Sequence, residues 1–405
     1  MSFPQSRRRL ALSIVLSCTV LVAVAAADGQ RPRERAAAAG LYEIAADFVR
    51  VDPETLRPVR GQRAPLDSDS WAWSFAPGRD RIALVSDSPG PELRLIDVRS
   101  MRVIGDARLA RRGSAWATAW VSPRRLLGVV VTRADDTIVV GVDPSTRRAV
   151  WRRTLGGSLR VGEAFHDGLV LILGPRGDVG PSQIVRVSAG GGIRSAPLAE
   201  IRSGSVGGLD SRPGLAIDHS GGHAFVVQAG SPVAEVDLRT LQVRAHPPLL
   251  RGRAPDATTG ATRDALWLGN GLLTVTGTDI RSSGRQTPAG LTLVNTVTWN
   301  ARQLDRRATD AAVARGTLLA SSFLYSGGRT LGSGLTGYSL AGTTKFHRFG
   351  DEPLSVQPLG AKVLVMAPKR TALIDARTGR QLRRFRRVLG TPVFGDRSFP
   401  PTAAG

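Results

Sequence analysis

Cysteine is almost missing. The single one, Cys18, lies inside the apolar stretch that opens the chain, so the remainder can form no disulfide and do no thiol chemistry. Histidine is nearly as scarce, with only His166, His219, His223, His246 and His347. Aromatic residues make up 5%, too few for a base-stacking nucleic-acid surface. Lysine occurs only at Lys345, Lys362 and Lys369, although Lys and Arg together number 55 and the net charge is +22. The charge is therefore an arginine charge. It is spread along the whole sequence, alongside abundant Ala, Gly and Pro that codon bias alone can produce. Two readings stay open: compositional bias without a specific partner, or a diffuse cationic surface near anionic envelope polymer or lipid headgroups. No nucleic-acid partner is expected. Helical signals are scarce after the N-terminus; short Val-, Leu- and Ile-rich runs punctuated by Gly and Pro predict strands.

The first residues read as a targeting segment. Arg7, Arg8 and Arg9 form a positive region, residues 10–27 are apolar, and Ala25-Ala26-Ala27 supplies an A-x-A cleavage signal, which predicts an export signal over 1–27. An uncleaved membrane anchor, a twin-arginine signal at Ser6–Leu10 and a lipoprotein at Cys18 are the alternatives. A flexible leader follows at 28–40. The destination expected is outside the cell or in its envelope.

What the chain does have is a repeated phrase. "FVRVDPETLRPV", "LRLIDVRSMRVIG", "IVVGVDPSTRRAVW", "VAEVDLRTLQVRA" and "TALIDARTGRQLRR" each join a short apolar strand, an Asp, a polar turn and a second strand. Equivalent positions are Asp52, Asp97, Asp143, Ser188, Asp237, Asn295, Ser339 and Asp375, at spacings of 45, 46, 45, 49, 58, 44 and 36 residues. A four-stranded propeller blade takes roughly 40–50 residues, so most intervals fit one blade each. The recurring Asp has a structural role, since its side chain accepts backbone N–H groups further along an Asx-type turn; Asn and Ser do so less strongly.

Each phrase after the first is preceded by an apolar hairpin, such as "WATAWVSPRRLLGVVV" or "LSVQPLGAKVLVMA". With strands lettered A to D, the Asp falls in the C–D turn. The first phrase lacks strand A, and "GTPVF" at Gly390–Phe394 can supply it. The prediction is an all-β, single-domain β-propeller over 41–395, of eight four-stranded blades, closed by joining N- and C-terminal strands, with a tail at 396–405. Seven blades with an extra N-terminal hairpin is the alternative.

The chain resembles the broad WD-repeat, YVTN and quinoprotein-like group of propellers. The phrase Gly141-Val142-Asp143-Pro144-Ser145-Thr146-Arg147-Arg148-Ala149-Val150-Trp151 is similar to the quinoprotein blade signature Ala-x-Asp-x-x-Thr-Gly-Lys-x-x-Trp. Asp375, Thr378 and Gly379 match it again, with Arg383 in place of the Trp. The resemblance covers the whole domain as architecture, but its dehydrogenase chemistry implies adjacent cysteines and calcium, and the cysteines are missing. Propeller lactonases imply convergent His and carboxylates. His219 and His223 instead fall in the A–B turn "DHSGGH", and Asp67, Asp69, Asp135 and Asp136 sit in polar loops. No G-x-S-x-G elbow or phosphate loop is present. No cofactor and no metal site are expected.

Loop lengths indicate where function sits. A–B and C–D turns are short, whereas three B–C loops (174–182, 278–290, 324–334) and the connection "LLRGRAPDATTGATR" are long, and all lie on one face. Arg176, Arg251, Arg253, Arg281, Arg285 and Arg329 come from these loops as candidate contacts to an anionic partner. Trp71 and Trp116 begin strand A in neighbouring blades and share strand parity with Phe75 and Trp120. Alternation makes them inter-blade core; an aromatic platform at the channel mouth is the other reading. The function expected is a non-enzymatic binding scaffold for an unidentified protein or anionic polymer. The alternative is a propeller hydrolase or oxidoreductase acting on a small substrate.

Overall fold

The computed structural model describes residues 40–66, 72–87, 90–132, 134–175, 177–206, 209–326, 328–386, 389 and 391–393. Every element among them is a strand, arranged in eight antiparallel sheets. The expected closing strand is present: Thr391–Val393 pairs with Leu41–Ile44, with Tyr42 opposite Val393, and Asp47–Val51 and Pro58–Pro65 complete the first blade. The remaining seven follow in chain order, with inner strands Trp73–Phe75, Ser114–Ser122, Ser158–Phe165, Gly214–Asp218, Thr259–Gly269, Asp310–Ala314 and Ser355–Leu359. The eight-bladed reading is borne out. The fourth and sixth blades carry a fifth strand each, Leu209–Ser211 and Gln286–Pro288.

There is no single core. Eight apolar clusters fill the eight gaps between neighbouring blades. The recurring Asp acts as the sequence predicts. Asp52 Oδ1 accepts the Glu54 and Thr55 amides at 2.7 and 3.2 Å, and Asp143, Asp237 and Asp375 do the same in their turns. Asn295 substitutes with its Oδ1, and Ser188 and Ser339 with their hydroxyls.

These turns also lock the blades together. Each ends on a left-handed residue: Leu56, Met101, Arg147, Gly191, Leu241, Trp299, Gly342 and Gly379, with φ between 53° and 83°. Five are not glycine, an unfavourable choice that tertiary contact must offset. Each meets the preceding blade. Leu56, Met101 and Leu241 are buried in the gap, Trp299 stacks on His246, and Arg147 donates to the Ile104 carbonyl at 2.6 Å. Where the turn has glycine, the preceding blade's outer strand supplies the bulk: Trp151 against Gly191, Arg302 against Gly342, Phe346 against Gly379. Size is exchanged across the seam, as the reverse pair Gly105 and Arg147 shows.

Candidate functional site

In an antiparallel four-stranded blade the A–B and C–D turns share one face, and the B–C loops and D–A connections the other. The second face is elaborated over blades four to seven. The segments read from sequence as long loops are largely strands. Leu272–Arg281 continues through a turn at Ser282–Gly284 into Gln286–Pro288, and Thr317–Ser326 pairs with Arg329–Ser339 to the tip. The two hairpins touch: Ser326 Oγ donates to the Gln286 carbonyl at 2.9 Å. Alternating Thr, Val and Leu carry the sheet past the blade's ordinary end, and only the central Ser-Gly positions turn.

The fourth blade adds a cap that loop length alone did not reveal. After a register shift at Pro181–Ser182, Val179–Pro181 pairs with Arg202–Gly204, and 204–206 then pairs with 209–211. Arg212 next bridges to the inner strand of blade six, accepting from Arg263 N at 2.8 Å and donating to the Ala261 carbonyl at 3.0 Å. Arg202 ties the cap to the next connection through the Pro255 and Val179 carbonyls. The signal available in the sequence was the length of 199–213 between two strands; the bridging partner, fifty residues on, was not legible.

Beneath the cap lie four charged groups. Arg160 faces Asp210 at 3.5 Å and Arg212 faces Asp264 at 2.9 Å, all largely buried. Burial lowers the Arg160 pKa, partly opposed by Asp210. Each carboxylate here is compensated by an arginine. On the other face, half-buried Glu163 is raised by desolvation, and the hydrogen bond it makes at 3.0 Å raises His219. Glu235 holds His223 at 3.2 Å and His246 at 2.7 Å. His219 and His223 therefore face separate glutamates, and no group of three or more His, Cys, Asp or Glu suited to a metal occurs among the described residues.

Of the candidate arginines, Arg251, Arg281, Arg285 and Arg329 are exposed on the elaborated face. Arg253 is exposed and paired with Asp256 at 2.8 Å, whose turn hydrogen bonds, led by the Thr258 hydroxyl, hold its pKa at about 2. Arg176 and Trp71, with Asp67 and Asp69, lie outside the described residues. Trp116 is half-buried against the seam between blades three and four, while Trp120 packs toward blade two. A β-bulge between Ala115 and Ala117 breaks the parity that the sequence suggested for them. The fifth connection is shorter than expected, because Thr259 already starts the next inner strand. It is docked rather than loose: Gly230 leaves no room for a Cβ against Ala254 N, at 2.6 Å.

No family model matches the chain, and no curated protein matches it. Solved structures do. Dihydro-heme d1 dehydrogenase NirN in complex with DHE is similar at TM-score 0.60 and 12% identity, over 90% of this chain and 76% of that one. Saccharomyces cerevisiae Sqt1 is similar at TM-score 0.54 and 9% identity, over 79% and 86%. The Dos1 propeller is similar at 0.51 and 10%, over 81% and 86%. At such identities the likeness is one of fold, and it agrees with the architecture-level resemblance to WD-repeat and quinoprotein-like propellers.

Proposed function

We propose that this protein is an exported, non-enzymatic binding scaffold whose docking face is the elaborated side of blades four to seven. One observation carries the reading: extended hairpins, a cap and a long connection cluster on one face of consecutive blades, while the opposite turns serve the seams between blades. Rigid scaffolds present binding groups on such additions. Arg251, Arg281, Arg285 and Arg329 stand exposed there, which favours an acidic protein surface as partner. The pairing of Asp210 and Asp264 with arginines supports a scaffold over a hydrolase, since a general acid or base needs a carboxylate free to exchange its proton. The export element rests on the N-terminal sequence.

The test is capture from envelope extract by wild type and by a variant with these four arginines changed to Ser, beside a lactone and sugar hydrolysis panel. Retention lost in the variant, without turnover, supports the reading. Turnover by the purified protein contradicts it.

A further inference from the structure

Blade five has the shortest outer strand, Val243–His246, because Pro247 and Pro248 lack the N–H groups to continue the ladder. The chain leaves the sheet there and runs back against blade six. A cavity of about 130 Å³ remains between them. Its apolar lining comes from Leu249, Leu250, Val275, Ala289 and Ala301, and Thr276, Thr292 and Gln303 add neutral polar groups. Two arginines line it. Arg251 is exposed at its edge, while Arg263 is 2% exposed.

Arg263 is held rigidly. Nη1 donates to the Thr262 and Thr278 carbonyls, both at 2.9 Å, and Nη2 to Asp279 Oδ1 at 2.5 Å. Those three bonds leave two of the five guanidinium N–H groups available. Asp279 pairs with Arg263, so Arg251 is the one charged lining residue without a carboxylate partner among the described residues. The volume far exceeds the roughly 10–15 Å³ that admits one water, and lies well below the roughly 300–1,000 Å³ of drug-sized sites.

We propose that this cavity binds a small monocarboxylate bearing a short alkyl group, either a free acid or the C-terminal residue of a peptide. The alkyl group lies against Leu249, Leu250 and Val275, and the carboxylate meets Arg251. A single such arginine selects a monoanion over a phosphate dianion, whose second charge Asp279 opposes. The inference goes beyond the docking face: of that face's four arginines only Arg251 lines the cavity, and the variant A301L leaves all four in place.

Calorimetric titration of the full chain with isobutyrate, with its neutral amide, and with a tripeptide ending in Val as free acid or C-terminal amide tests it. Isobutyrate is expected to saturate near the millimolar range, with the amide at least about tenfold weaker because the charged hydrogen bond is lost. R251Q is expected to weaken the acid about tenfold. A301L, at an exposed strand position that lines the cavity, is expected to abolish binding while the melting curve is retained. Tighter binding of the peptide acid assigns a C-terminus as the source; equal or weaker binding assigns the free acid. No binding by either acid, equal binding of acid and amide, or full binding by A301L overturns the proposal. Partner capture retained by A301L while acid binding is lost separates this site from the docking face, whose arginines that variant leaves intact.

Discussion

Replacing Trp151 probes how the ring of blades is held. Its indole donates Nε1–H to the Ala189 carbonyl at 2.9 Å and lies over Gly191 of the next blade, with Gly141 beneath it. Burying most of an indole and making one hydrogen bond predicts that Trp151→Ala costs about 3–4 kcal/mol. Gly191→Ala acts from the other side. At φ 83° a side chain costs roughly 1 kcal/mol, and the new Cβ meets the ring at 2.8 Å. The ring cannot retreat onto Gly141, so overpacking adds about 1–2 kcal/mol. In the double variant the clash disappears, and the two effects should fall short of additivity by about 1–2 kcal/mol. Guanidinium-chloride unfolding at constant m reads these differences from the midpoints. A Trp151→Ala loss below about 0.5 kcal/mol, within the range of ordinary surface changes, refutes the latch, and so does strict additivity.

Three further outcomes follow. Removing 391–405 strips blade one of its inner strand and the buried Val393 and Pro392, so the melting temperature should fall by several degrees; an unchanged value contradicts closure. Asp52, Asp97, Asp143, Asp237 and Asp375 are held below the ordinary carboxylate range by turn hydrogen bonds. Their stabilisation is present above their unfolded pKa, near 3.9, and is lost as pH falls below it, a decline that Asp→Asn exchanges should blunt in acid melts. His219 is raised by Glu163, so its contribution is full below about pH 6.5 and lost as pH rises through the folded value; His219→Gln should remove that alkaline decline.

The fold was legible because each Asp phrase closes its own turn through local bonds, so spacing counted the blades directly. The missing first strand A told where the ends join. The seams were not legible, since Trp151, Arg302 and Phe346 meet partners some forty residues away and read locally as edge residues. That geometry also accounts for part of the arginine excess: Arg147, Arg152, Arg153, Arg194, Arg302 and Arg348 donate to carbonyls of neighbouring blades, which suits a long, forked, always-charged donor better than lysine. The elaborated face was located by loop length. Its substance was not, because 278–290 and 324–334 are paired strands, the cap at 199–213 depends on a distant bridge, and Arg263 is buried by residues from two blades.

The docking face is tested most directly by a matched-charge comparison. Changing Arg251, Arg281, Arg285 and Arg329 to Ser removes four exposed charges from that face, and changing Arg57, Arg99, Arg239 and Arg377 removes four exposed charges from the opposite turns. Partner retention from envelope extract, measured for both variants across a salt series, is predicted to collapse for the first set, to persist for the second, and to weaken with salt in wild type. Equal loss from the two sets would mean that bulk charge alone does the binding, and would contradict a functional site on blades four to seven.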